Sequence, residues 1–393
     1  MLPKLVTYGW RGLDASVEEI SQVRVLVHDG LQELSITRCE MFKKEELMSI
    51  ITTPKSLRTL EISSSSTDEC FGADALTKIL NSHPDLSTLA LPGVNPPSHL
   101  KLLPTIKHLE AEFSTPDTEL ETEEYEAPLS LRTLVLRGDI AVQQHIIGTA
   151  QWQPSMRLSL WINGGQPTGE EFGDLFYVME SFREPKLEEF TVDIIYDFGM
   201  DFRTMQTMDG SLPVYVLPGD EFVAGISHFK NLRVLELLLA IPIDLSDDNF
   251  HQLTSALPNL TEFTIPVFLD LVPLAFSPRA SLWTLVHFAS NCPNLRLLSV
   301  LLDVSLDTDI AIPKETPRSS ASSLCFGRSW IYSGGTVALV FQVLIELFPK
   351  VKSVRFEEQD DDYHAWGPSI VQPWEDVNKL LENYHSEAKN SNL

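Results

Sequence analysis

Residues 54–62 read PKSLRTLEI, and residues 128–136 read PLSLRTLVL. In each, a turn-forming Pro precedes an aliphatic residue, two variable positions, a second aliphatic, one variable position and a third. The last two aliphatics, Leu60 with Ile62 and Leu134 with Leu136, fall at alternate positions, as a strand buried on one face requires. The phrase returns with its first aliphatic at Leu5, Leu31, Leu57, Leu86, Ile106, Leu131, Leu187, Leu232, Leu260, Leu295 and Val351. Such recurrence makes the repeat the organising unit of the chain.

The first intervals are 26, 26 and 29 residues, at or inside the span of about 20–29 residues typical of leucine-rich repeats. The intervals from Leu131 to Leu187 and from Leu295 to Val351 are 56 residues each, so each should hold one further, degenerate strand. MRLSLWI, ending at Ile162, and SSLCFGRSWI, around Leu324–Ile331, stand at those places. The 45 residues between Leu187 and Leu232 contain an insertion at about 196–218. Between strands the period changes to that of helices. Ser16 with Glu19 and Thr168 with Glu171 form capping boxes, and SDDNFHQLTSAL, RASLWTLVHFAS and GGTVALVFQVLIELF carry helical apolar spacing.

A single unit of this size cannot bury its own triplet, so neighbouring units must cover it. Stacked strands then form a parallel sheet and stacked helices lie on its other side. Helices are wider than strands, which bends the stack. The expectation is an α/β leucine-rich-repeat solenoid, a horseshoe with a parallel β-sheet on the concave face and helices on the convex face. It should run over residues 1–358. Residues 359–393 then supply an acidic linker and a C-terminal capping helix, WEDVNKLLENYHSEAKN.

The Pro-x-Leu-x-x-Leu-x-Leu strands and full helices resemble the ribonuclease-inhibitor-like class of leucine-rich repeats. Phrases such as LPNLTEFTI and CPNLRLLSV resemble the repeat region of fungal F-box proteins. The resemblance implies a substrate-reading module of a cullin ubiquitin ligase. Here Leu2-Pro3 leads directly into the Leu5 phrase, without a recognisable F-box. The ladder position eight residues after the first aliphatic is filled by Cys39, Ser65, Val94, Asp139, Ala240 and Asp303, so its turn should be satisfied differently from unit to unit.

Because strand residues alternate in direction, those flanking the buried aliphatics define the concave surface. They include Glu33, Glu61, Glu110, Glu112 and Arg137, then Glu189, Thr191 and Asp193, Val234, Glu236 and Leu238, Glu262 and Thr264, and Leu297, Ser299 and Leu301. Acids outnumber bases there, a bias that attracts a basic segment. The pairs Glu189 with Asp193 and Glu236 with Glu262 are the candidate anchors. Leu238, Leu297 and Leu301 should be either covered by another segment or an apolar patch for a partner.

Composition narrows the function classes. Fifty-five Asp and Glu against 29 Lys and Arg give a formal net charge of -26, which argues against a phosphate-backbone or anionic-membrane ligand and favours a basic protein partner. Neither a signal-like apolar run nor a membrane-spanning stretch is present in the sequence. The four cysteines, Cys39, Cys70, Cys292 and Cys325, lack zinc or redox spacing and read as reduced thiols in a cytoplasmic or nuclear monomer. NGGQPTG at 163–169 lacks the Lys of a phosphate loop, and the acid runs at 115–126 and 357–362 lack calcium-loop spacing. His83, His228 and His251 lie by turns and helices, where a surface role is expected. No cofactor and no metal is expected. The reading is a non-catalytic protein-recognition module. Its alternatives are an acidic inhibitor or scaffold for a basic protein, and an enzyme with its site on the 196–218 insertion.

Overall fold

The computed structural model describes residues 5–11, 23, 25–64, 71–94, 103, 105–113, 125–126, 130–151, 156–163, 167–180, 187–194, 216–239, 243–265, 278–304, 310–327, 329, 331, 334–356 and 371–390. The chain divides into two compact units, Met1–Gly165 with Phe182–Pro185, and Gln166–Ser181 with Lys186–Leu393.

In the first unit the strands are β1 (Thr7–Arg11), β2 (Glu33–Thr37), β3 (Thr59–Ser63), β4 (Thr88–Leu91), β5 (His108–Phe113), β6 (Tyr125–Glu126), β7 (Thr133–Gly138), β8 (Ala150–Gln151) and β9 (Met156–Ile162). They pair in parallel in the order β1-β2-β3-β4-β5-β7-β9, while β6 pairs with β8 alone. Helices α1 (Lys44–Thr52), α2 (Ala73–Ser82) and α3 (Ile140–Thr149) fall between them. Register follows the phrase: Leu34 lies opposite Leu60, Leu60 opposite Leu89, Leu109 opposite Leu134, and Leu134 opposite Leu158. These leucines are buried together with Leu47, Ile51, Leu76, Ile79 and Ile146 from the helices. MRLSLWI is thus the degenerate strand expected from the doubled interval.

The second unit repeats the scheme. Its strands are β10 (Leu187–Ile194), β11 (Leu217–Pro218), β12 (Val234–Leu238), β13 (Ile243–Asp244), β14 (Glu262–Thr264), β15 (Leu297–Ser299), β16 (Ser323–Cys325) and β17 (Val354–Arg355). The parallel order is β10-β12-β14-β15-β16-β17, and β11 pairs separately with β13. Helices are α4 (Gly169–Glu180), α5 (Gly219–Ile226), α6 (Asp247–Ala256), α7 (Trp283–Asn291), α8 (Gly334–Leu347) and α9 (Val371–Asn390). SSLCF supplies β16, the second strand expected from interval length. Phe250 of α6, Phe263 of β14 and Phe288 of α7 pack ring against ring at 4.9–6.0 Å. One helix–strand–helix step therefore shares a single aromatic core. The chain is an α/β leucine-rich-repeat solenoid.

The prolines of the phrase have a local cause. His83-Pro84-Asp85-Leu86, Leu257-Pro258-Asn259-Leu260, Cys292-Pro293-Asn294-Leu295 and Phe348-Pro349-Lys350-Val351 are four-residue turns. In each, the N–H of the last residue donates to the carbonyl of the first, at 3.0–3.2 Å. Pro sits second, where its fixed φ suits the turn. The turn ends the helix and delivers the first aliphatic into the core.

At the other end of the strand the ladder position varies, as the different residues there require. Cys39 and Val94 are buried, Asp139 accepts from the N–H of Ala141 at 2.8 Å, and the N–H of Asp303 donates to Ala280. Ser65 and Ala240 lie outside the described residues. Gly138, which ends β7, has φ 136° and packs against the Phe113 carbonyl, a place without room for a Cβ.

Thr168 and Glu171 form the expected capping box, with the Thr168 N–H donating to the carboxylate at 2.6 Å and the Glu171 N–H donating to the hydroxyl at 3.1 Å. A second box joins Ser246 and Asn249. Ser16 and Glu19, residues 196–215 of the insertion and most of both acid runs lie outside the described residues.

Candidate protein-recognition surface

The rows of side chains opposite the helices follow from register. In the second unit, Glu189 lies opposite Val234 and Val234 opposite Glu262. Thr191 lies opposite Glu236 and Glu236 opposite Thr264. Asp193 lies opposite Leu238. Glu236 is therefore flanked diagonally by Asp193 on one side and Glu262 on the other. Strand spacing and rise put each Cα about 8 Å from its own.

Burial, then the charges of Asp193 and Glu262, push the Glu236 carboxyl above its ordinary range. Among the described residues, the Glu236 and Glu262 side chains have no ion pair or hydrogen bond. The geometry regroups the expected pairs: Asp193, Glu236 and Glu262 form a trio. Glu189 stands four residues from Asp193 on the same strand, roughly 13 Å away.

Leu238 and Leu297 occupy the same open face and are half-buried, as is Leu301 beyond β15. Leu301 lies beside Gly327, where an added Cβ would come to 3.2 Å from its Cδ2. Apolar and acidic side chains are thus interleaved on β12, β14 and β15. A lysine or arginine could lay its alkyl stem on the leucines and place its charge among the carboxylates.

The open face of the first unit is organised differently. The Arg137 Nε donates to Glu110 at 2.7 Å, and its guanidinium lies 3.7 Å from the centre of the Trp161 ring. Asn163 donates to Glu112 at 3.0 Å and Thr7 to Glu33 at 2.8 Å. Glu112, Arg137 and Trp161 hold the same register position, and Glu110 lies diagonal to Arg137, opposite Val135.

Among the described residues, no group of three or more His, Cys, Asp or Glu side chains could hold a metal ion. Cys39, Cys292 and Cys325 are free thiols. Burial pushes the Cys292 thiol up to about 12, which removes it as a nucleophile. His83 corrects the surface role expected for it: it is buried, and its Nε2 bonds the Ile51 carbonyl at 2.8 Å. The turn at Pro84 folds the ring under the end of α1. The described end of the insertion, Val216 with Pro218, borders a cavity of about 540 Å³ whose titratable side chains are Glu170, Asp174, Glu180, Glu221 and Tyr177. No helix among the described residues is long and apolar enough to cross a membrane.

No protein-family model and no curated protein matches the chain. Among solved structures, the chain is similar to the leucine-rich repeat-containing protein LegL7 from Legionella pneumophila, at 13% identity over 96% of this chain and 98% of that one, with a TM-score of 0.38. It is also similar to a chain of the Rad7 and Elc1 complex in yeast, at 10% identity over 89% of this chain and 83% of that one, with a TM-score of 0.30.

Proposed function

We propose that the protein is a non-catalytic protein-recognition module whose second unit reads a basic segment of a partner. The observation that carries this reading is the placement of Glu236 between Asp193 and Glu262 on the side of the sheet opposite the helices. A carboxylate whose proton affinity is raised by burial and two neighbouring carboxylates gains most from a cation placed among them. Glu189 extends the charge along β10, and Leu238, Leu297 and Leu301 supply apolar seats between the charges. A buried catalytic pocket with convergent acid, base and nucleophile is the alternative this surface does not resemble.

The F-box-like phrases support a finer version, in which the module selects substrates for a ubiquitin ligase of the cullin class. In that version residues 359–393 are the linker and cap that finish the repeat array. The excess of acids supports a second version, an inhibitor or scaffold that masks a basic protein. Affinity purification of the full chain with mass spectrometry separates them. Recovery of a cullin adaptor supports the ligase version, and recovery of one basic protein released at raised salt supports the inhibitor. Charge reversal at Glu189, Asp193, Glu236 and Glu262 should abolish capture of a basic partner in either version. Capture unchanged by that reversal would remove the carboxylate face from the proposal.

A further inference from the structure

The phrase position just after the first aliphatic has a character of its own. In the second unit it is filled by Glu188, Arg233, Thr261, Arg296 and Ser322, on successive rungs. Backbone bonds fix their order: Arg233 N to Glu188 O, Thr261 N to Arg233 O and Arg296 N to Thr261 O at 2.7 Å each, then Ser322 N to Arg296 O at 3.1 Å. Two residues earlier, in the preceding turns, stand Asn231, Asn259 and Asn294. Glu188, Arg233, Thr261 and Arg296, the three asparagines and Ser320 line a cavity of about 560 Å³ at the rim of the sheet, where the strands begin.

Two properties mark this cavity. The chain carries 55 acids and 29 bases, yet among the described residues neither the Arg233 nor the Arg296 guanidinium has an ion pair or hydrogen bond. Both are exposed. The asparagines are also mostly uncommitted: Asn259 gives one N–H to the Lys230 carbonyl at 2.9 Å, while the Asn231 and Asn294 carboxamides have no partner among the described residues.

We infer that this rim cavity binds an extended acidic peptide segment, in addition to the basic segment proposed for the open face. A guanidinium fork takes a carboxylate through two parallel N–H bonds. A carboxamide offers a donor and an acceptor together, the complement of a peptide main chain. Arg233 and Arg296 are two rungs apart, about 10 Å, close to the roughly 9 Å of one three-residue turn of an extended polyproline II chain, in which side chains three residues apart share a face. Two acidic side chains about three residues apart therefore meet both arginines while the main chain between them runs past Thr261 and the asparagines. Glu188 at one end of the cavity, with the net charge of -26, opposes a continuous phosphate backbone.

Fluorescence anisotropy on the full chain tests the inference. The probe is a labelled peptide with the core Asp-Ala-Ala-Glu, and its control is the same peptide with Asn and Gln. The acidic peptide should bind, weaken as salt rises, and exceed its neutral control by at least about tenfold. Arg233→Gln with Arg296→Gln should lose about tenfold or more. Arg58→Gln with Arg132→Gln, which removes two arginines of the first unit, should change binding by less than about twofold. Circular dichroism checks that the variants are folded. Should the double Gln variant fail to fold, Arg233→Lys with Arg296→Lys keeps the charge, loses the fork and should still weaken binding severalfold. Equal binding by the variants of both units, or binding no better than the neutral control, would overturn the site. Tighter binding of a single-stranded oligonucleotide, or full competition by inorganic phosphate at matched charge, would overturn the peptide as its occupant.

Discussion

The carboxamide of Asn378 in α9 closes the edge of β17: its Oδ1 accepts from the N–H of Val354 at 2.8 Å and its Nδ2 donates to the carbonyl of the same residue at 3.0 Å. A strand at the end of a sheet has one row of backbone groups without a neighbour, and a side chain with the same donor–acceptor pair can replace the missing strand. Trp374, one helical turn earlier, is fully buried, stacks on Phe326 at 5.0 Å and donates to the Ser329 carbonyl at 2.8 Å. Asn378→Ala should therefore cost about 1–3 kcal/mol, and Trp374→Ala about 3–5 kcal/mol. Urea denaturation with fluorescence would measure both. Wild-type stability for Asn378→Ala would mean that water serves the edge equally well.

Gly138→Ala is expected to destabilise the first unit by about 1–3 kcal/mol. Two causes act together, the φ of 136° and the Phe113 carbonyl that the new methyl would strike. Gly9→Ala serves as the control, since nothing lies within 4 Å of its would-be Cβ. Thermal melts of the two variants should separate clearly.

The pH dependence of Glu236 has a definite sign. Burial and two neighbouring carboxylates raise its folded value above the ordinary 4.5, so the folded chain holds this proton more tightly than the unfolded chain does. The resulting penalty is absent below about 4.5, grows as pH rises through the raised folded value, and is complete above it. Glu236→Gln should thus stabilise the protein near neutral pH, by less than about 1 kcal/mol because the face is partly wetted. The gain should vanish in acid. Denaturant midpoints on both sides of that window would show the crossover, and a gain of constant size would disprove the electrostatic origin.

Much of the fold was legible because the phrase carries its own physics. Turn prolines, alternating aliphatics and interval length together located even β9 and β16, whose sequences depart from the pattern. Thr168 and Glu171 were legible for a similar reason: their interaction closes within one turn. What escaped the sequence depends on side chains about 25 or more residues apart. The Arg137, Glu110 and Trp161 cluster needs the register of three strands, and the regrouping of Asp193 with Glu236 and Glu262 needs the diagonal relation between rungs. Uneven intervals, 26 in one place and 45 in another, hide both. His83 escaped because its burial depends on how one turn folds under the preceding helix.

The core leucines provide a graded test of the stacking. Leu60 and Leu235 are fully buried rungs, each lying beside equivalent residues on two neighbouring strands. Replacing either with Ala should cost about 2–5 kcal/mol. Hydrogen exchange should show the loss of protection concentrated in the adjoining rungs, as nearest-neighbour stability in a repeat array requires. Uniform loss over the whole chain would contradict that locality.

The carboxylate trio is tested most directly by calorimetric titration with a short Lys- and Arg-rich peptide. Asp193→Asn, Glu236→Gln and Glu262→Gln together should weaken binding by at least about tenfold. Removing the same amount of charge from exposed helix positions, through Glu45→Gln, Glu375→Gln and Glu382→Gln, should leave it within about twofold. Equal weakening by the two triple variants would show that net charge alone attracts the peptide and would contradict a recognition site on the second unit's sheet.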